Sequence, residues 1–276
     1  MSARAGALSF RDVRKVYDPG GDEVVAIEAL SLEIAAGEFV AIVGPSGCGK
    51  TTLLNAIAGF DRITAGEIRL DERVIASGKS LAPPGADRVV VFQSNALFPW
   101  KTVLENVAFG PLVQRREAPA AVRARARERL ERAGLGDTAG DYPRRLSSGV
   151  QRRIEFVRAL MNDPKVLLLD EPFRALDAMS KAVMHEHLLE LFENAGTTVF
   201  FITHDLDEAI LLADRVIIST SRPMSVKSSL TVDLPRPRDY RVVAGAAFAA
   251  LKAQALTAVG EEAEKAFALG ERELAS

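Results

Sequence analysis

Gly44, Pro45, Ser46, Gly47, Cys48, Gly49, Lys50, Thr51 and Thr52 run consecutively and fit the spacing G-x-x-x-x-G-K-[ST]. The chemistry open to such a set is the binding of a nucleoside triphosphate. Glycines at 44, 47 and 49 let backbone N–H groups fold inward around a polyphosphate, where a Cβ would obstruct both the turn and the close approach. Lys50 then faces the outer phosphates, and the Thr51 hydroxyl can ligate Mg²⁺. Position separates this reading from a bare glycine-rich turn. Phe39 to Val43 is an apolar run that predicts a buried strand, and Thr52 to Ala58 predicts the first turns of a helix.

A second group suits hydrolysis. The apolar run Val166 to Leu169 is followed by Asp170, Glu171 and Pro172, a pattern that predicts a buried strand delivering two acids to the carboxyl edge of a parallel sheet. Asp170 is the acid that would hold Mg²⁺ through its water shell, and Glu171 the general base for an attacking water. His204, between Thr203 and Asp205, ends another apolar run; from there it would hydrogen-bond the γ-phosphate and orient that water. A lone histidine at a strand end is more often structural, and only its company raises it.

These residues need a frame to hold them. The chain has 276 residues, 48% hydrophobic and 26% charged, as expected for one globular ATPase core carrying a subdomain. Thirty-five Lys and Arg against 37 Asp and Glu leave no net field for nucleic acid or an acidic membrane surface. The single cysteine, Cys48, suits a reducing compartment. No apolar leader is visible at the N-terminus, and no run reaches the ~20 apolar residues of a membrane span, so a membrane role is expected to come through a partner. Leu8 to Tyr17 and Val24 to Ile34 predict two early strands around a turn at Asp18 to Asp22. Glu67 to Asp71, Arg88 to Phe92, Lys165 to Asp170 and Thr197 to Thr203 predict further strands. From Asn95 to Asp163 the pattern is helical; the arginines at 123, 125, 127, 129 and 132, set against Glu128 and Glu131, predict a solvated face, since no aromatic platform accompanies them. Asp239 to Ser276 reads as a loosely packed helix. The whole predicts an α/β fold: a P-loop core with a mainly parallel sheet, an N-terminal antiparallel β subdomain and a helical insertion.

In this order the motifs resemble those of the ATP-binding-cassette (ABC) family over most of residues 8 to 234. The resemblance implies further roles. Tyr17 matches the aromatic that stacks on adenine, and Gln93 the glutamine that contacts Mg²⁺ and the attacking water. Ser147, Ser148 and Gly149 stand in place of the signature Ser-Gly-Gly, just before a helix from Gln151 to Leu160. Ala175, Leu176 and Asp177 match the segment that crosses the dimer interface. The implied layout is a single ABC ATPase domain: 1–94 and 164–234 as nucleotide-binding core, 95–163 as helical subdomain with the signature, and 235–276 as a C-terminal helical tail. ATP and Mg²⁺ are the implied cofactors. A second ATPase subunit, identical or paired, would complete each site by presenting its signature helix N-terminus to the γ-phosphate.

Narrower features point to a branch. The segment from Phe92 to Gly110, with Glu171 to Asp177, Thr203 to Ala209, Ser221 to Pro223 and Asp233 to Arg238, is similar to the ATPase subunits of bacterial nitrate, sulfonate and taurine importers. That implies a peripheral subunit on the cytoplasmic face of the bacterial inner membrane, working with a transmembrane permease and, indirectly, a periplasmic solute-binding protein. The apolar and aromatic stretch Ala96 to Trp100 would line a groove for a permease helix, or else pack inward. Three positions depart from the pattern: Ser148 replaces the first signature glycine, Val150 the usual Gln or Met, and Arg174 a glycine. A weakly hydrolysing regulatory subunit and a soluble non-transport ABC ATPase stay open beside the importer reading.

Overall fold

The computed structural model describes residues 6–18, 21–174 and 176–275. Pro19 and Gly20 of the expected turn, Ala175 of the expected interface segment and residues 1–5 at the N-terminus lie outside them. The chain divides into two compact units, Met1–Pro84 with Gly196–Ser276, and Gly85–Ala195.

The first unit holds two sheets. β1 (Leu8–Tyr17), β2 (Val24–Ile34), β4 (Ala65–Leu70) and β5 (Arg73–Ser77) form an antiparallel sheet in the order β2-β1-β4-β5. β3 (Phe39–Val43) is buried at every residue and lies between two parallel neighbours, β8 (Thr198–Ile202) and β9 (Arg215–Ser219); β10 (Val226–Thr231) joins β9 antiparallel. Continuous apolar runs such as these mark strands covered on both faces. Phe10 of the antiparallel sheet lies 6.5 Å from Phe200 of the other sheet, and within that second sheet Phe39 meets Phe201 edge-on at 6.0 Å. α1 (Lys50–Ala58) starts two residues earlier than expected. It stops at Gly59, whose left-handed backbone sends its N–H back to the carbonyls of Asn55 and Ala56. α6 (Leu206–Leu212) follows β8.

The C-terminal helix is not loosely packed. α7 (Ala246–Ala275) buries Phe248 and Ala255, and it carries Glu262, which is 1% exposed. The Glu262 carboxylate accepts from the Ser221 amide at 2.8 Å and pairs with Lys227 at 3.0 Å and Lys265 at 2.7 Å. Burial opposes ionisation there, yet these donors hold the carboxyl down to about 2. The anchor is polar and distant in sequence, so no apolar periodicity announces it.

In the second unit β6 (Arg88–Val91) pairs in parallel with β7 (Val166–Asp170). Three helices, α2 (Val103–Gln114), α3 (Pro119–Arg132) and α4 (Ser148–Leu160), enclose a core of Val103, Val107, Val122, Leu130, Ile154 and Val157. α2 begins with a capping box, Thr102 and Glu105 satisfying each other's backbone N–H groups. Along α3, Val122, Ala126 and Leu130 are buried and the arginines lie on the other faces. Two of these arginines do more than meet solvent. Arg125 and Arg129 grip Asp163 at 3.0 and 2.7 Å and donate to the carbonyls of Met161 and Leu160, which close the C-terminal end of α4. α5 (Ala178–Ala195) completes the unit.

Candidate active site

In the first unit the buried strand β3 runs straight into the phosphate loop and α1. Gly49 has φ +123°, and a Cβ there would lie 2.7 Å from the Ala26 carbonyl oxygen; at Gly44 it would lie 1.9 Å from Ser219 Oγ. The loop is therefore built to pass close against its own surroundings with its backbone turned inward. Lys50, only 6% exposed, donates from Nζ to the carbonyls of Gly44 at 2.8 Å and Pro45 at 2.7 Å, which fixes the ammonium over the loop. Cys48 is buried, with Sγ 3.4 Å from Ser219 Oγ. Thr51 is exposed on the first turn of α1. A cradle of glycines, a cation held over it and a helix N-terminus beyond it fit a polyphosphate.

Tyr17 closes β1 beside this loop. Its phenol donates to Asp61 at 2.6 Å and lies 3.5 Å from Thr52 Oγ1, while Lys15 Nζ stands 4.4 Å from the ring centroid and 2.6 Å from Asp61. Burial and the bond to Asp61 push the phenol up; Asp61 itself, despite burial, is held below the usual carboxylate range by Lys15 and Tyr17. The ring is thus fixed in pose with one face covered by an ammonium. His204 follows β8 directly. Ile42 pairs with Ile202, so two residues on, Gly44 and His204 leave the same edge of adjacent strands. Thr203 Oγ1, which donates to Glu208 at 2.7 Å, and the Asp205 cap of α6 fix the backbone on either side of His204.

The second unit carries the acids and the signature. Val91 pairs with Leu169, so Gln93 and Glu171 likewise leave one edge of β6 and β7 together, with Asp170 as the last residue of β7. Glu171 sits at φ +43°, a backbone conformation that side-chain-bearing residues rarely adopt, and its Oε2 accepts from Arg174 Nη1 at 3.1 Å. Phe173 is fully buried against Phe156 and His185 and anchors the turn. Asp177 accepts from the Ser180 amide and hydroxyl at 3.0 and 2.6 Å, bonds that lower its carboxyl below the ordinary value. The signature does not precede its helix. Ser147 is the N-cap of α4, its Oγ accepting from the Val150 amide at 3.4 Å, and Ser148 and Gly149 form the first turn. Glycine and serine are weak helix formers, which is why the pattern places the start three residues late.

Near the signature helix, Val89, Phe92, Phe98, Phe109, Glu155 and Arg158 line a cleft of about 160 Å³. Phe98 packs on Phe109 at 4.8 Å and Trp100 at 5.6 Å. Trp100 itself is 71% exposed, so it does not pack inward.

The sequence profile of the ABC transporter family matches residues 27–174, more than half of the chain. The chain belongs to the ABC transporter family. Members of this family bind and hydrolyse ATP, and the P-loop core with its antiparallel and helical additions is the cassette fold. The nitrate import ATP-binding protein NrtD of Synechococcus elongatus is 39% identical over 258 residues, covering 92% of each chain. An uncharacterized ABC transporter ATP-binding protein of Methanocaldococcus jannaschii is 43% identical over 233 residues, 84% of each. The bicarbonate transport ATP-binding protein CmpC of Synechococcus elongatus is 44% identical over 221 residues, but this ABC cassette spans only 32% of its length. Among solved structures, a dimeric ATP-binding cassette bound to ADP and Pi superposes with a TM-score of 0.70 at 33% identity, over 83% of this chain and 100% of that one. A cassette of Clostridium perfringens, described as part of the cbiONQ transporter complex, gives 0.73 at 27% identity, over 93% and 98%. Among the described residues no helix of the cassette is long and apolar enough to cross a membrane.

Several partners in this ABC cassette escape a reading by motif. Asp61 lies beyond the helix that follows the phosphate loop, and nothing in its neighbours marks it as the anchor of Tyr17. Ser219 sits under Gly44 from a strand made 175 residues later. Arg152 and Glu155, three residues apart inside α4, carry no motif at all.

Proposed function

We propose that this chain is the ATP-hydrolysing subunit of a bacterial ABC importer that energises uptake of a small solute such as nitrate, sulfonate or taurine through a separate permease. The likeness to a nitrate import ATP-binding protein over 92% of both chains carries this reading, since the two agree in length as well as in sequence. Residues 1–94 and 164–234 act as nucleotide-binding core, 95–163 as helical subdomain and 235–276 as tail.

In this reading the phosphate loop, Gly44 to Thr52, binds the triphosphate, and the Tyr17 ring stacks on the base through the face that Lys15 leaves open. Thr51, Gln93 and Asp170 are oxygen donors of the kind Mg²⁺ takes, and the ion when bound neutralises charge on the phosphate oxygens. Glu171 removes the proton of the attacking water, and His204 orients that water at the γ-phosphate. Ser147, Ser148 and Gly149 present the N-terminus of α4 to the nucleotide held by a second cassette, and Asp177 lies in the segment that crosses between the two. Triphosphate holds the pair closed, and loss of the γ-phosphate releases it, a two-state clamp that moves the permease. Phe98 and Trp100 lie beside the cleft that receives a cytoplasmic helix of that permease. The chain works peripherally at the cytoplasmic face of the inner membrane, with a periplasmic solute-binding protein acting on the far side.

A second reading, a weakly hydrolysing regulatory subunit, draws on one observation. The Arg174 guanidinium pairs with the proposed base Glu171 at 3.1 Å. Glu171→Gln decides between the two. The importer reading expects ATP binding to persist while hydrolysis falls ~10²-fold or more, the scale of a lost general base; a parental rate refutes the assignment of Glu171.

A further inference from the structure

Three side chains of α4 reach back to the backbone of the segment that carries Gln93, and a fourth meets the Asn95 side chain. Arg152 donates through Nη1 to the Phe92 carbonyl at 2.7 Å and through Nη2 to the Gln93 carbonyl at 2.6 Å. The same Nη1 donates to Glu155 Oε2 at 2.6 Å, and Glu155 Oε1 accepts from the Ala96 amide. Arg158 donates to the Ala96 carbonyl at 2.8 Å, and Asn95 Nδ2 donates to Gln151 Oε1. Residues 92, 93, 95 and 96 are each tied to one helix.

The centre of this group is an ion pair, Arg152 and Glu155, each 5% exposed. Burial pushes the guanidinium down and the carboxyl up, and in each case the charge of the other opposes that shift. An apolar pair of similar volume would pack here at less cost in desolvation. What the ions add is geometry. A planar guanidinium can meet two carbonyls and a carboxylate at once, which a lysine ammonium on a flexible stem reproduces poorly.

We infer that Arg152 and Glu155 are positioning residues that lock the Gln93 segment to the signature helix, so that a shift of either is passed to the other. The lock begins three residues after Gly149, on the same helix, and ends on the Gln93 carbonyl itself. It acts on turnover and leaves ATP affinity alone, because the phosphate loop and Tyr17 belong to the other unit. The inference rests on the roles proposed above for Gln93 and the signature.

The test measures ATP hydrolysis against ATP concentration, with thermal unfolding, on the full chain carrying Arg152→Met with Glu155→Leu, and on Arg152→Lys. The Met and Leu pair keeps volume and removes both charges, so the fold is expected to melt near or above the parent. Its KM for ATP stays within about twofold while kcat falls about 10- to 100-fold, the scale of a displaced reacting group. Arg152→Lys keeps the charge balance but not the fork, and its kcat lies between the two. A parental kcat in the Met and Leu variant overturns the inference, as does a lost melting transition or a KM that rises in step with the fall in kcat; each leaves the pair a structural element. Glu171→Gln in the same assay separates the failures. A parental rate there sinks the site reading; low turnover there beside a parental Met and Leu variant sinks the lock alone.

Discussion

Adding one methyl group at each glycine of the phosphate loop separates two physical costs, backbone strain and lack of space. Gly47 has φ +74°, and nothing stands within 4 Å of its would-be Cβ. Gly47→Ala therefore meets only the left-handed backbone, about 1–2 kcal/mol. At Gly44 the obstacle is space: the Cβ would lie 1.9 Å from Ser219 Oγ and 3.2 Å from Ser219 Cβ. Turning the buried Ser219 moves its Oγ away but not its Cβ, which leaves an overpacked contact of about 1–3 kcal/mol. Gly49 combines both costs, with φ +123° and a Cβ placed 2.7 Å from the Ala26 carbonyl oxygen, a backbone atom that has no rotamer to change. Summing strain and overpacking gives about 2–6 kcal/mol. At about 2–4 °C per kcal/mol, Gly49→Ala lowers the Tm by about 4 °C at the least, and the expected order of loss is 49, then 44, then 47. Thermal unfolding without nucleotide reads this directly. Ser219→Gly restores part of the Gly44→Ala loss and none of the Gly49→Ala loss. The reasoning fails if Gly47→Ala is the most damaging change, or if Ser219→Gly leaves Gly44→Ala where it was.

Three other changes probe separate regions. The depressed Glu262 carboxyl binds fewer protons folded than unfolded between its unfolded value near 4.5 and its folded value of about 2, so the stability it adds is complete above that window and lost on acidification through it. Glu262→Gln is expected to cost on the order of 3 kcal/mol near neutral pH, the gap to the parent closing as pH falls toward 2 in denaturant titrations; a gap independent of pH would exclude ionisation as its source. At Gly149 a Cβ meets nothing within 4 Å inside this chain. Gly149→Ala should stabilise the first turn of α4 by about 0.5–1 kcal/mol while lowering ATP turnover of the paired cassettes; unchanged turnover would remove Gly149 from the shared site. If the importer reading holds, Trp100→Ala, at an exposed position, should shift stability by less than about 0.5 kcal/mol yet weaken co-purification with the proposed permease and uncouple hydrolysis from uptake; loss of Tm with normal permease binding would place the docking surface elsewhere.

What a motif search can see in this chain is whatever the backbone needs locally. The phosphate loop, the buried runs of β3, β7 and β8 and the ends of β1 and β2 follow from residue type and spacing, because a doubly covered strand or a glycine turn leaves its mark within a few positions. β5 is only five residues long and β10 is mostly polar, so neither leaves a mark, and Arg215–Ser219 passes unread beside stronger runs. The start of α4 is misplaced because capping by Ser147 depends on one hydroxyl, while Ser148 and Gly149 look like loop. The least legible parts are polar contacts between distant positions: Asp61 under Tyr17, Glu262 under Ser221, and Arg152 against the Phe92 carbonyl. Each depends on which strand lies beside which, and charged residues on a helix face look alike until that is known.

The order of strands around β3 also bears on synthesis. β3 is complete by Val43, but its two neighbours are Thr198–Ile202 and Arg215–Ser219, so it waits about 155 and 170 residues for them. Gly85–Ala195 emerges in one piece and closes its own contacts meanwhile, whereas the first unit must bring its two halves together across that whole stretch. The Ser219 hydroxyl that fills the space beneath Gly44 is nearly the last part of the loop's support to be made. A nascent or truncated chain that stops short of β9 carries the full phosphate-binding motif without the neighbours that shape it. Such a chain is expected to bind nucleotide more weakly than the complete one, since β3 and the loop it carries lack the strands that hold them in place.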